Sequence, residues 1–475
     1  MKYVLICSIQ ILFIFTSNLL PNTYNVGPDR QYTAPSKVMN LVQDGDTVLI
    51  DPGDYFGDVG TWSKSIVIKS VGGTARMKAD GKNAQGKAIW VTAGADMYIE
   101  GIEFSDCRVP DNNGAGIRAE GKKLYLRNCS FHANEMGILS TNDPEVEITF
   151  ESCEFYDNGY GTGYTHNIYI GRIKKFTMMY CYSHHAKVGH TVKSRAASSY
   201  ILYNRIMDEE TGNSSMNIDL PNGGRSYIIG NLIMQGSKSE NKSIISYGKE
   251  GLDTLHPNKL YIVNNTIVNS RFNSTFIDME SDTVTFKMNN NLLAGPGTII
   301  EGFPNPDSAG NIWFSDRNNA LLVDVDGYDY RLTEGSPAID CGVAPGAIDG
   351  FDLTPVNEYV HPLSYRERKK INNTDVGAYE FQTPESTDEH IIPSKPELEA
   401  FPNPFNEFVT LKLANAGKLI ITDLMGNVVF QKELFPTSKP STFVWKPESS
   451  IASNLFNIIV TNDKYVKFEK IVNIK

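Results

Sequence analysis

The chain has 475 residues, a formal net charge of −11, 41% hydrophobic and 11% aromatic residues. That is enough for two or three domains around a large packed core. Beyond the N-terminus no apolar run is long enough for a transmembrane helix, and an acidic chain with one basic band and no nucleic-acid motif excludes a nucleic-acid partner.

Val4–Phe15 is apolar, follows Lys2 and is too short to span a bilayer comfortably, so residues 1–20 read as a secretory signal peptide, with cleavage between Ser17 and Asn25. Cys7 leaves with it. The five remaining cysteines, Cys107, Cys129, Cys153, Cys181 and Cys341, give no even disulfide framework, no CxxC pair and no zinc-ligand spacing. Cys129 and Cys153 read instead as small buried residues stacked in successive repeats. Pro35–Gly57 predicts an amphipathic helix followed by a strand, the cap that a solenoid end needs.

A repeat then takes over. Ile102-Glu-Phe104 is followed by Cys129-Ser-Phe131, Cys153-Glu-Phe155, Tyr180-Cys-Tyr182, Asn204-Arg-Ile206, Asn231-Leu-Ile233, Asn265-Thr-Ile267 and Asn291-Leu-Leu293, at a period in the mid-twenties. A second strand repeats in phase through Ile138, Ile168, Val192, Ile218, Ile245 and Ile277. Short β-branched and aromatic strands separated by Asn/Gly turns predict an all-β fold, a right-handed parallel β-helix over residues 25–382. Asn204, Asn231, Asn265 and Asn291 would stack as a structural amide ladder, and Pro337–Phe381 would form irregular closing coils.

Residues 158–207 contain no Asp or Glu but seven Lys/Arg and four of the eight histidines. A cationic band in an acidic protein points to a surface that holds an anion. With the isoleucine column pointing inward, the next residues face outward: Leu139, Tyr169, Lys193, Asp219, Ser246 and Asp278. Arg195 faces outward two positions after Lys193, and His166 and His190 sit at matching strand entrances. A long open face of this kind suits an acidic polysaccharide. Cleaving a uronic-acid chain by β-elimination requires neutralising the carboxylate, removing the proton α to it and protonating the leaving oxygen. Arg195 suits neutralisation by its planar fork. Lys193 suits the base, its pKa lowered by the neighbouring arginine and partial desolvation. Tyr169 or His190 suits the acid. Asp219 could orient Lys193 or Arg195, and His166, Lys187, Arg172 and Arg205 complete the candidate substrate-binding set. His184 and His185 read as structural, and Gly159–Thr165 is a loop that could block one end of the groove.

The run "THNIYIG…YCYSHHAKVGHTVKSRAASSYILYNRI" resembles the β-helical polysaccharide lyases, the class with alginate lyases and chondroitinase B. The resemblance implies a Lys base and an Arg on one sheet, which Lys193 and Arg195 match. Some of those lyases neutralise the carboxylate with calcium held by Asn and Glu. No acidic pair stands beside Lys193 in the sequence, Asp208, Glu209 and Glu210 following only in a turn, so no cofactor is expected and calcium is left open. The substrate could be alginate, glucuronan, a pectate-like chain or a sulfated glycosaminoglycan.

Three other readings stand beside the lyase. A glycoside hydrolase needs paired carboxylates on one face, which the acid-free band does not offer. A uronate C-5 epimerase shares the first half of the lyase chemistry. A non-catalytic glycan-binding or adhesin solenoid would use Lys193 and Arg195 only to hold anions.

Residues 383–399, rich in Pro, Ser, Thr and acids, read as a linker. Residues 400–475 alternate apolar and polar positions, predicting a small β-sandwich. Its order of Pro-Asn-Pro-Phe, Asp-Leu-Met-Gly-Asn and a Lys-rich last strand resembles the C-terminal sorting domain of the type IX secretion system. That implies the secretion machinery as a partner and a secreted or cell-surface location outside the outer membrane. A monomer is expected.

Overall fold

The computed structural model describes residues 21–94, 96–280, 284–302, 306–382, 397–405, 407–414, 418–423, 428–433, 441–447, 455–461 and 466–473. The expected signal peptide, most of the linker and four residues of the Asp-Leu-Met-Gly-Asn motif lie outside them.

Short strands with a period near one coil can bury their inward side chains only against the coils above and below, and the chain does this in three parallel sheets of 12, 10 and 11 strands. It is a right-handed parallel β-helix. Each coil contributes one strand to each sheet. Lys175–Met179, Tyr182–His184 and Val192–Ser194 make one such coil. The inner column Ile138, Ile168, Val192, Ile218, Ile245 and Ile277 is fully buried. Phe104, Phe131 and Phe155 stack beside it at centroid spacings of 5.0 and 4.9 Å.

One corner of every coil is made by a single residue of left-handed backbone: Asn128, Ser152, Tyr180, Tyr203, Gly230, Asn264 and Asn290 all have φ between 49° and 67°. Asn and Gly tolerate this conformation, which explains the turn signals in the repeat. The residue after each corner points inward. There Asn204, Asn231, Asn265 and Asn291 form the expected ladder, each Nδ2 donating to the next Oδ1 at 2.8–3.0 Å, and Asn311 extends it by one coil. Toward the N-terminus Cys181, Cys153 and Cys129 continue the column. The Cys181 backbone N–H donates to Asn204 Oδ1 at 2.9 Å, and that of Cys153 donates to Cys181 Sγ at 3.4 Å. A second ladder, Asn134–Asn158–Asn167, lines another corner.

Three expectations are corrected. The repeat at Tyr180–Tyr182 is shifted by one residue: Phe155 pairs with Ser183, not Tyr182. The aromatic ring suggested an inward position, but Tyr182 faces out, under Arg205 and hydrogen-bonded to Glu209. The N-terminal cap is one 3-10 turn, Pro35–Lys37, followed by a turn closed by Val42 N–H on the Val38 carbonyl, rather than a helix; burying Val38 and Val42 closes the core. The closing coils expected over Pro337–Phe381 are replaced by a different arrangement of residues 317–381. These residues form antiparallel hairpins that run back along the flank of the solenoid, with Tyr365 stacked on Tyr180 at 3.9 Å.

The C-terminal region is antiparallel, with three strands (Glu397–Phe401, Val409–Ala414, Ser441–Trp445) facing four (Lys418–Thr422, Val428–Glu433, Leu455–Thr461, Val466–Val472) across a core of its own. The first strand starts at Glu397, inside the stretch read as linker.

Candidate functional site

The outward column of the ten-stranded sheet follows the register read from the sequence: Leu139 pairs with Tyr169, Tyr169 with Lys193, Lys193 with Asp219, Asp219 with Ser246 and Ser246 with Asp278. Coils about 4.8 Å apart therefore set a phenol, an ammonium and a carboxylate side by side.

The contacts among them are dense. Lys193 Nζ lies 3.0 Å from Asp219 Oδ2 and donates to Glu250 Oε1 at 3.0 Å. Arg195 donates from Nε to the Tyr169 hydroxyl at 3.0 Å, from Nη1 to Asn222 Oδ1 at 2.6 Å and from Nη2 to Glu250 Oε2 at 2.6 Å. Lys193 and Arg195 each lie 5.8 Å from the centre of the Tyr169 ring. Because the Tyr169 oxygen accepts from Arg195, its own proton is free to point elsewhere. Behind this layer the Nε2 of His190 sits 3.5 Å from Asp219 Oδ2, and its Nδ1 is 3.0 Å from His166 Nδ1. The His190 backbone N–H also donates to His166 Nδ1, so that nitrogen of His166 carries no proton.

Burial sets the electrostatics. Burial, together with the nearby cations, pulls His166 well below the ordinary histidine range and brings His190 down to about 4, against the opposing pull of Asp219. Burial works against the Arg195 charge, but Glu250 and Tyr169 outweigh it and hold the guanidinium pKa above its usual value. Burial would likewise raise Glu250; Arg195 and Lys193 outweigh it and hold that carboxyl below the usual range.

The face differs from the open sheet expected. Residues 248–256 fold over it, fixed by backbone bonds from Glu250 to Pro221 and from Asp253 to Asn222. Lys193 is left only 8% exposed, and Arg195 opens into a cleft of about 570 Å³ lined by Asn142, Arg172, Asn222, Glu250, Leu252 and His256. The expectation of no acidic pair beside Lys193 is also overturned: Asp219 and Glu250 both touch it. The band is acid-free only along the chain, since the solenoid brings in carboxylates from one and two coils away. Lys193 therefore has carboxylates as its nearest charged neighbours. Among the described residues no group of three or more His, Cys, Asp or Glu is placed to hold a metal ion.

Of the candidate residues, Tyr169, His166, His190, Lys193, Arg195 and Asp219 come together, and Arg172 lines the same cleft. Lys187 lines a separate cleft with Asp157, His185 and Lys238. Arg205 belongs to another sheet, where it pairs with Glu209 and donates to the Tyr328 carbonyl. His184 lies on that sheet too, stacked on Tyr182 and beside Glu154. Sequence reasoning missed Asn222 and Glu250. Asn222 lies 27 residues from Arg195, one period, and the register could have found it. Glu250 lies in a loop outside the repeat, where no register applies.

With this geometry in view, known proteins can be compared. Residues 64–233 match the right handed beta helix region family. Residues 399–474 match the secretion system C-terminal sorting domain, which supports export by the type IX system. Among solved structures, the crystal structure of pectate lyase Pel9A shares the fold at 14% sequence identity and a TM-score of 0.50, over 76% of this chain and 96% of that one. No curated protein matches the chain.

Proposed function

We propose that the protein is an exported lyase that cleaves a uronic-acid-containing polysaccharide by β-elimination, in the cleft beside Lys193 and Arg195. The observation that carries this reading is the pair itself: a lysine and an arginine from one strand end, both aimed at the Glu250 carboxylate at the wall of the cleft, with the Tyr169 hydroxyl held against the arginine. The likeness to a pectate lyase agrees with it at the level of fold.

In this mechanism Arg195 neutralises the uronate carboxylate, which acidifies the α proton. Lys193 removes that proton. The ammonium seen between carboxylates must first lose its own proton, for which the carboxylates of Asp219 and Glu250 are the nearest acceptors. Tyr169 protonates the leaving oxygen. His190 is a poorer candidate for that step, because its two ring nitrogens face Asp219 and His166. No step is routed through calcium: Asp219 and Glu250 turn their carboxylates to Lys193 and Arg195, so Arg195 takes the neutralising role. The sorting domain supports export by the type IX system, and the location that goes with this reading is outside the outer membrane, released or attached to the surface.

One observation speaks for a glycoside hydrolase. Asp219 and Glu250 both lie 3.0 Å from Lys193 Nζ, so these oxygens are within about 6 Å of each other. Asp219 is 5% exposed, covered between Lys193 and His190, which leaves it out of reach of a glycosidic oxygen in the cleft. The deciding experiment incubates the purified chain with polygalacturonate, alginate, glucuronan and chondroitin sulfate, with and without a chelator. New ultraviolet absorbance from unsaturated uronate ends on one polymer, insensitive to chelator, supports the lyase. New reducing ends without that absorbance establish the hydrolase instead.

A further inference from the structure

The carboxylate of Glu250 is bound in an unusual way for a surface acid. One oxygen accepts from Lys193 and the other from Arg195, at 3.0 and 2.6 Å. The two cations are nearly covered, their side chains 8% and 13% exposed, whereas that of Glu250 is 48% exposed. The backbone beneath it is pinned: Glu250 N–H donates to the Pro221 carbonyl at 2.9 Å, Asn222 Nδ2 donates to the Gly251 carbonyl at 2.9 Å, and Leu252 packs against the solenoid core. The side chain can therefore swing into solvent while the loop stays in place. Asp219, the other carboxylate on Lys193, has no such freedom at 5% exposure.

Building on the lyase reading, we propose that the point between Lys193 Nζ and Arg195 Nη2 is the binding site for a substrate hexuronate carboxylate, and that Glu250 occupies it until substrate arrives. Binding is then an exchange of one carboxylate for another. The cations are never left buried and unpaired, a state that burial makes costly. A neutral sugar has nothing to offer in exchange and leaves Glu250 in place, so the resident acid acts as a selectivity gate.

The test measures binding apart from catalysis, on the full mature chain in native gels containing polygalacturonate, alginate or neutral amylose. Glu250→Ala should be retarded at about one tenth of the polyuronate concentration that wild type needs, the factor expected from losing the carboxylate that competes with substrate. It should run as wild type in amylose. Glu250→Gln, of equal size, should shift in the same direction. Asp253→Asn removes an equal charge from the same cleft without touching Lys193 or Arg195, and should stay near wild type. Equal gains in Asp253→Asn and Glu250→Ala would reduce the effect to net charge and overturn the proposal. So would a Glu250→Ala variant that binds polyuronate no better than wild type. Failure of the lyase reading shows separately, as wild type that binds a polyuronate yet makes no unsaturated ends.

Discussion

Two columns run along this solenoid, and they are built on opposite rules. At the corner column each coil repeats the same residue, Asn204, Asn231, Asn265, Asn291 and Asn311, and each amide is satisfied by its neighbour above. On the ten-stranded sheet the coils place unlike residues in register, Tyr169, Lys193, Asp219 and Ser246. Like residues close a network on itself, whereas unlike ones leave polar groups that something outside the column must satisfy. In a repeat protein, the place where the repeat keeps its register but breaks its residue type is where chemistry is to be sought.

Substitutions in each column sharpen the contrast. Lys193→Arg keeps the charge and removes the base: kcat on the responsive polymer should fall about a thousandfold, ~4 kcal/mol of barrier, with affinity-gel retardation preserved. A variant that keeps its turnover would mark Lys193 as a binding residue only. In the corner column, Asn231→Leu leaves the Asn204 N–H without its acceptor and takes one donor from each of the Ile201 and Ile229 carbonyls, and urea unfolding should show a loss of about 3 kcal/mol with no specific effect on substrate binding.

The pH dependence of stability separates the columns again. An unfolded histidine keeps its proton below about pH 6.5, whereas buried His190 takes one only near 4. In that window the unfolded chain binds a proton that the folded chain refuses, so stability rises with pH and is lost as pH falls. From about pH 7 to about pH 5 the His190 share of that loss is about 2 kcal/mol, and His166, lowered by burial too, adds with the same sign. His190→Gln should flatten the decline of the urea midpoint over this range; an unchanged slope would show that the pair titrates normally. The smallest change is expected for Cys181→Asn, which extends the amide ladder by one coil and should alter stability by less than about 1 kcal/mol.

The fold was largely legible because a solenoid translates period into contact. The ladder, the inner isoleucine column and the outward order from Leu139 to Asp278 all follow from spacing. The slip at Tyr182 shows the limit of that method: an aromatic in a short strand carries no label for its face, and the hydrophilic Ser183 took the inward position. The candidate site was legible only where it lay on strands. Glu250 reaches Lys193 from a loop 57 residues away, and the flank hairpins that engage Arg205 through Tyr328 lie 123 residues from it. Neither Glu250 nor Tyr328 lies on a strand of the repeat, so periodicity had no purchase on them.

Those flank hairpins change how the molecule comes apart. A bare solenoid touches only its nearest neighbours and can unravel from an end, one coil at a time. Here Val356 N–H donates to Tyr203 Oη, Asn357 Nδ2 to Tyr180 Oη and Asn264 Nδ2 to the Asp375 carbonyl, across 153, 177 and 111 residues. The segment works as a strap laid over several hoops of a barrel, so that no strapped hoop slips while the strap holds. During synthesis and export those middle coils stay unlatched until residues 356–375 have emerged, just ahead of the sorting domain, and the finished barrel then resists fraying as one body.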